Sequence, residues 1–280
     1  MTRSRRKKIL IWTLLIILLL LVMGYAFRYP LIRQYQYKKL KSLRCINYVT
    51  KEYTEDTNCL SRIGAHRVNS PERYDILKDK FHVFETDIVY DDSLQTYYVY
   101  HPPKPDDGEV LTLKEFLRHV DFNNIRHHRV FWLDTRGIDS SNMWGAIKAM
   151  VRIESYIKDS IPNSGFTEYN ILLEMYDLTA ARFFAENGFA ISFNPSERLL
   201  QRMITDTLLR DSVNKVMGKI AWVSQDYRYI SFLKQFFPDK TINTWRPEFE
   251  VFINTKELQQ LLDDPRIGLI LVSIKSRYYK

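Results

Sequence analysis

Cysteine is nearly missing from this 280-residue chain, which has only Cys45 and Cys59. That excludes a disulfide-stapled scaffold and any cysteine-rich zinc module. Glycine is scarce too, with nine residues in all, and no two of them stand one position apart. A dinucleotide fingerprint and a phosphate-cradling P-loop are therefore both absent. G-x-S-x-G and H-E-x-x-H do not occur either, which removes the strained serine elbow and the helical zinc-protease motif. With 45% hydrophobic and 26% charged residues, the chain is neither a disordered polymer nor a fibrous repeat.

Acidic residues are missing from the first 44 positions. Positions 1–8 carry five cations and positions 28–44 carry six, and these eleven exceed the net charge of +8 for the whole chain. The remainder is slightly acidic, so no nucleic-acid partner is expected for it. Between the two basic stretches, Ile9 to Phe27 are 19 residues without a charge. As a helix they would span roughly 28 Å, about the thickness of a bilayer core. No A-x-A-like cleavage site follows, so the segment reads as an uncleaved anchor and the basic flanks as partners of anionic lipid headgroups. The expected organisation is a basic tail (1–8), a transmembrane signal-anchor helix (9–27), a basic linker (28–60) and a folded domain (61–280). A short basic tail ahead of an apolar run favours a cytoplasmic N-terminus and an extracytoplasmic domain in a single-pass protein. In an oxidising compartment Cys45 and Cys59 could pair, closing a loop worth about 3 kcal/mol. Two unpaired thiols are the alternative.

From Arg62 onward, short apolar runs alternate with amphipathic helical stretches. Strands are expected at 62–66, 82–90, 129–134, 169–176, 189–193, 219–223, 241–245 and 268–274, with a short extension over 97–100. Helices are expected between them: 71–79 behind a Ser70 cap with proline at its first position, one opened by the capping box Thr112–Glu115, then 140–158, 177–186, 196–217, 226–237 and 255–262. Strand then helix, repeated about eight times, predicts an α/β fold of the (β/α)8 TIM-barrel class, preceded by the N-terminal transmembrane helix.

Charges stand where such a barrel places its chemistry, at the C-terminal ends of strands. The first strand runs into His66-Arg67. The second contains Glu85-Thr86-Asp87 and the third Asp134-Thr135-Arg136. Alternation puts Glu85 and Asp87 on one face of their strand, and Asp134 and Arg136 on one face of theirs. Three carboxylates converging on one rim repel each other unless a hard cation takes their oxygens. Neutralisation by Arg67 and Arg136 at the surface is the plainer alternative. His101, pinned ahead of Pro102-Pro103, joins His66 as a possible acid–base pair. Glu174 is a further candidate for the metal surroundings or substrate, and Trp245 for a pocket wall. His82, His119, His127 and His128 carry no such signal.

Taken in order, His66-Arg67, Glu85-x-Asp87, His101 and Asp134-x-Arg136 resemble the glycerophosphodiester phosphodiesterase and phospholipase-C-like superfamily of (β/α)8 phosphodiesterases. The segments His66-Arg-Val-Asn-Ser70 and Glu85-Thr-Asp87 are most similar to its menorin-like branch. Val68 stands where the phosphodiesterases proper have glycine, and Arg136 where they have lysine. The resemblance implies that Glu85, Asp87 and Asp134 hold one divalent cation, Mg²⁺ or Ca²⁺. It implies that Arg67 and Arg136 bind the substrate phosphate and that His66 and His101 act as catalytic base and acid. The substrate would be a glycerophosphodiester or a (lyso)phospholipid at the membrane. A catalytically silent barrel, serving the envelope as a ligand-binding or structural protein, is the rival reading.

Overall fold

Alternating side chains build this molecule from the inside outward. In the computed structural model, which describes residues 3–43, 45–46, 53–54, 61–106, 110–120, 130–160, 171–245 and 254–275, eight parallel strands close into a barrel. They are β1 (Ile63–Ala65), β2 (Val83–Asp91), β3 (Val130–Arg136), β4 (Ile171–Met175), β5 (Ala190–Phe193), β6 (Trp222–Asp226), β7 (Thr241–Trp245) and β8 (Ile267–Val272). Closure is made by β1, which pairs with β8 through Ala65 and Val272 and with β2 through Ala65 and Phe84. A further strand, Thr96–Val99, folds back antiparallel on the outer half of β2.

Two apolar layers follow from the alternation. Val83, Trp132, Leu172, Ala190 and Leu271 point inward and plug the lower barrel. Their neighbours Phe84, Phe131, Leu133, Leu173 and Ile191 point outward into the larger core shared with the helices. Gly64 is required by the inner plug, since a Cβ there would stand 2.7 Å from Leu271 Cδ2 and 2.8 Å from Val83 Cγ1. At the barrel floor the Arg62 guanidinium donates to the carbonyls of Leu262, Asp264, Ile267 and Gly268, tying the start of β1 to the start of β8.

The surrounding helices begin where their caps predict. In α2 (Pro71–Leu77) Ser70 Oγ accepts from the Arg73 N–H, and α3 (Leu113–Arg118) opens with the full Thr112–Glu115 box. Such a cap is worth about 1 kcal/mol. α4 is Met143–Ser160, and α5 (Leu178–Glu186) is capped by Asp177 and stopped before Gly188 at φ +92°. The single helix expected over 196–217 is two, α6 (Glu197–Thr205) and α7 (Thr207–Val216). Asp206 is extended between them and its carboxylate caps α7. Strand β6 starts three residues later than expected because Met217–Lys219 forms a 3₁₀ turn. Asp226 accordingly ends a strand instead of starting a helix, and a 3₁₀ turn at Tyr227–Tyr229 precedes α8 (Ile230–Phe236). α9 is Thr255–Leu262, as expected.

At the N-terminus, α1 (Arg3–Leu40) is one helix and includes Pro30. Its segment Trp12–Leu40 is long and apolar enough to cross a membrane, and its most apolar stretch is unburied. The basic stretch expected as a linker is helical as far as Leu40, and Gln36, Leu40 and Leu43 are buried. Cys45–Ile46 and Tyr53–Thr54 pair as short antiparallel strands. Cys59, and with it the possible disulfide, lies outside the described residues, as do His127 and His128.

Candidate active site

Strand register assembles the acidic centre. Asp87 on β2 sits opposite Asp134 on β3, which in turn sits opposite Glu174 on β4. Neighbouring strands are only about 5 Å apart, so three carboxylates in one row cannot avoid each other. Glu85, two residues below Asp87, faces the same interior. One carboxylate oxygen each from Glu85, Asp87 and Asp134 lies within 4.8 Å of the others, and all three residues are buried.

The remaining candidates close around this row. A cavity of about 170 Å³ at the C-terminal mouth is lined by His66, Arg67, His101, Arg136, Glu174 and Trp245 together with the acidic trio. Tyr176 and Leu271 complete the wall. Every residue singled out from the sequence is therefore brought to one place, including Trp245, whose ring also meets Trp132 edge-on at 6.4 Å.

Each side chain is held by identifiable partners. His66, just past β1, has Nδ1 3.1 Å from Ser273 Oγ and Nε2 3.6 Å from the Glu85 carboxylate. Arg67 adopts φ +57°, an uncommon conformation for a side chain with a Cβ, and its backbone N–H donates to Glu85 Oε2. The Arg67 Nη2 lies 3.3 Å from His101 Nε2. Asn69 brackets Asp87: its amide donates to Oδ2 at 2.7 Å, and its carbonyl oxygen accepts from the Asp87 N–H at 2.9 Å. Tyr176 donates to one oxygen of Asp134 at 2.7 Å, and Arg136 donates to the other at 2.8 Å.

The electrostatics follow from burial and crowding. Burial and then the neighbouring Asp87 and Asp134 push the Glu85 carboxyl well above its ordinary range. The same causes, burial first and Asp134 next, raise Asp87 to about 6 and Glu174 to about 8. His66 moves the other way, down to about 3, through burial and the charges of Arg67, Arg73 and His101. Arg136 is raised despite its burial, chiefly by Asp134, and stays cationic.

The donor set fits a hard divalent cation. It consists of carboxylate oxygens, two of the carboxyls raised by burial and mutual crowding, and Glu85 Oε1 is buried with no hydrogen-bond partner among the described residues. Glu174 differs from the trio. Its Oε2 accepts from Trp132 Nε1 at 2.7 Å, and its Oε1 accepts from Asn194 at 2.7 Å and Ser224 at 2.8 Å. Its oxygens are engaged by the barrel wall and place it behind the trio.

Comparison with solved structures gives the architecture a context. A glycerophosphodiester phosphodiesterase from Parabacteroides distasonis superposes with a TM-score of 0.52 at 12% identity, covering 76% of this chain and 92% of that one. A candidate glycerophosphodiester phosphodiesterase from Galdieria sulphuraria gives 0.50 at 11% identity, covering 76% and 93%. The barrel is glycerophosphodiester phosphodiesterase-like in fold. No protein-family model matches the chain, and no curated protein matches it in sequence.

Several residues of this phosphodiesterase-like barrel escaped the sequence reading. Tyr176 carried a signal, since it follows Glu174 by two and so shares its face. Asn69 stood inside the quoted His66–Ser70 segment but had no partner until the fold supplied Asp87. Ser273 and Asn194 are polar residues just past strand ends and Ser224 lies in the middle of β6, with nothing local to set them apart.

Proposed function

We propose that this chain is a membrane-anchored, metal-dependent phosphodiesterase acting on a glycerophosphodiester or a (lyso)phospholipid. One observation carries the proposal: two imidazoles, two guanidiniums and three close carboxylates share a single cavity at the mouth of a phosphodiesterase-like barrel. The phosphate chemistry fits the donors. Arginines hold anionic oxygens, and a neutral histidine can take a proton near neutral pH.

Glu85, Asp87 and Asp134 would hold the cation, Mg²⁺ or Ca²⁺, which when bound supplies positive charge to the phosphoryl oxygens. Arg67 and Arg136 bind the phosphate. Arg136 is kept in place by Asp134 and by the Tyr176 hydroxyl 3.1 Å away. His66, held neutral by burial, accepts the proton of the attacking hydroxyl, and Ser273 fixes its ring. His101 donates a proton to the departing oxygen as the bond from phosphorus to that oxygen breaks. With Arg67 turned towards it, His101 Nε2 is an acceptor, because a guanidinium only donates. A phosphate that draws Arg67 away releases Nε2 to carry the proton. The anchor reading places the N-terminus in the cytoplasm and the barrel on the other side of the membrane.

The test is hydrolysis of glycerophosphocholine and lysophosphatidylcholine by the full chain, with and without a chelator. His66→Ala and His101→Ala should each lower kcat by about 10²–10⁴-fold, the usual range for an acid–base group. Turnover that survives both substitutions and chelation rejects the mechanism.

A further inference from the structure

The direction of α1 relative to the barrel says what the site faces. Gln36 is fully buried; its Nε2 donates to the Ser273 carbonyl at 3.2 Å, and its Oε1 accepts from the Lys275 N–H at 3.1 Å. Both partners lie just beyond the C-terminal end of β8, at the level of the mouth. One residue further on, the Tyr37 ring meets Phe81 at 6.2 Å, and Phe81 precedes the N-terminal end of β2. Leu40 and Leu43 then enter the core, and the chain reaches the floor at Arg62 and β1. Towards its C-terminus α1 therefore descends from mouth to floor. Towards its N-terminus it must leave the barrel on the mouth side.

The distances bring the two surfaces together. From Gln36 back to Arg28 is eight helical residues, about 12 Å. Beyond Arg28 the helix is the exposed apolar segment back to Trp12. Pro30 bends a helix but does not reverse it. On the barrel, β2 continues four residues past Asp87 to Asp91, which adds about 13 Å at the rise of a strand. The turn beyond it is held by the Asp91 carboxylate, which accepts from the Ser93 hydroxyl and the Leu94 N–H, and it presents Leu94 62% exposed. The hairpin tip thus rises to about the height at which α1 becomes apolar. Trp144, in the first turn of α4 after β3, is also 62% exposed, and Lys104 is exposed on the loop after His101. Apolar and aromatic tips suit the interfacial zone of a membrane, and the charge of Lys104 is met by Asp91 on the hairpin.

We infer that the barrel mouth faces the bilayer that α1 enters, so that the site takes the headgroup phosphodiester of a phospholipid in the adjoining leaflet. The orientation rests on the anchor and the substrate class on the phosphodiesterase reading, and the experiment separates them. Full-length protein is reconstituted into vesicles of phosphatidylcholine with a minority of phosphatidylglycerol. A benzophenone amino acid is placed either at position 94, on the hairpin tip, or at position 219, exposed at the floor. Photolysis should give roughly tenfold more lipid adduct at 94 than at 219, as expected of an interfacial against a solvent-facing position. In a second arm, a flexible Gly/Ser linker of about 20 residues between Phe27 and Arg28 keeps the anchor and frees the barrel's orientation. Turnover of vesicle phospholipid should fall severalfold, while turnover of dissolved glycerophosphocholine is unchanged. Equal adducts at both positions, or undiminished phospholipid turnover with the linker, overturns the inference. If the wild type hydrolyses neither substrate, the phosphodiesterase reading fails and takes the substrate assignment with it, and the adduct ratio alone decides the orientation.

Discussion

Ser273 Oγ and His66 Nδ1 stand 3.1 Å apart, joining the last strand of the barrel to the residue that follows the first. The contact leaves Nε2 of the same ring turned towards Glu85 and the cavity. In the proposed mechanism His66 is the base, and a base that can rotate spends part of its time misdirected, so Ser273 is expected to act through the orientation it imposes. Ser273→Ala should lower kcat about fivefold with KM little changed, since one neutral hydrogen bond of about 1 kcal/mol is lost from a positioning contact. Steady-state kinetics on a soluble diester read this directly. A change confined to KM would place Ser273 in substrate binding instead.

The acidic centre makes stability depend on pH in a stated direction. Asp87 at about 6 and Glu174 at about 8 lie above their unfolded values near 4, as does Glu85. In that window the folded state holds more protons than the unfolded one, so their contribution is fully present below about pH 4 and is lost as pH rises towards 8. His66, lowered to about 3, acts oppositely, because its unfolded form binds a proton below about 6.5. Three carboxylates outweigh one histidine. Metal-free protein should therefore lose thermal stability between about pH 5 and pH 8. Mg²⁺ or Ca²⁺ should restore it most at the upper end, where the cation replaces protons rather than competing with them. Melting curves with and without a chelator check both slopes, and a Tm indifferent to the cation at pH 8 would remove the metal from the trio.

Glu174 is set apart from that trio by its donors. Three side chains, Trp132, Asn194 and Ser224, all point hydrogens at its two oxygens. Above about pH 8, where the carboxyl is ionised, it accepts from all three, whereas a glutamine would turn an NH₂ group on at least one of them. Glu174→Gln should destabilise the fold by about 1–3 kcal/mol, the penalty for opposed buried donors. Cation affinity, measured by calorimetry, should change far less than with Asp134→Asn. An equal loss of affinity in both variants would make Glu174 a ligand.

What was legible in the sequence was whatever is local. Ser70 before Pro71 and Thr112 with Glu115 mark helix starts by hydrogen bonds within four residues, and both hold; Asp177, expected as the first helical residue, caps the helix instead. The acidic site was legible because period-two alternation fixes the faces of Glu85, Asp87 and Asp134 once their strands are known. Asp206 misled because a polar residue on an exposed helix face looks the same whether it continues a helix or caps the next one. Strand β6 was misplaced because Ser224, Gln225 and Asp226 are polar, yet all three are buried, Ser224 donating to Glu174 and Gln225 to Asn194 and the Pro195 carbonyl. Gln36 was invisible for a different reason. Its partners lie 237 and 239 residues away, and nothing in a basic amphipathic stretch announces them.

The lower barrel carries its own prediction, because the plug beneath the carboxylates decides whether they are held in register. Gly64 lies beside Leu271 and Val83, and the added carbon of Gly64→Ala would meet Val83 Cβ at 3.0 Å as well as the two closer methyl groups. Leu271 can swing its end aside, but Val83 is branched at the backbone and pairs with Gly64 directly. The substitution should therefore destabilise the fold by about 1–3 kcal/mol, the range for overpacking a filled interior. Strain at this pairing is passed to β2, which carries Glu85 and Asp87 two and four residues further along. Cation affinity should fall together with the unfolding midpoint, although Gly64 has no side chain to offer the site. A variant that loses stability but keeps full cation affinity would separate the two effects and show that the plug does not set the register of the carboxylates.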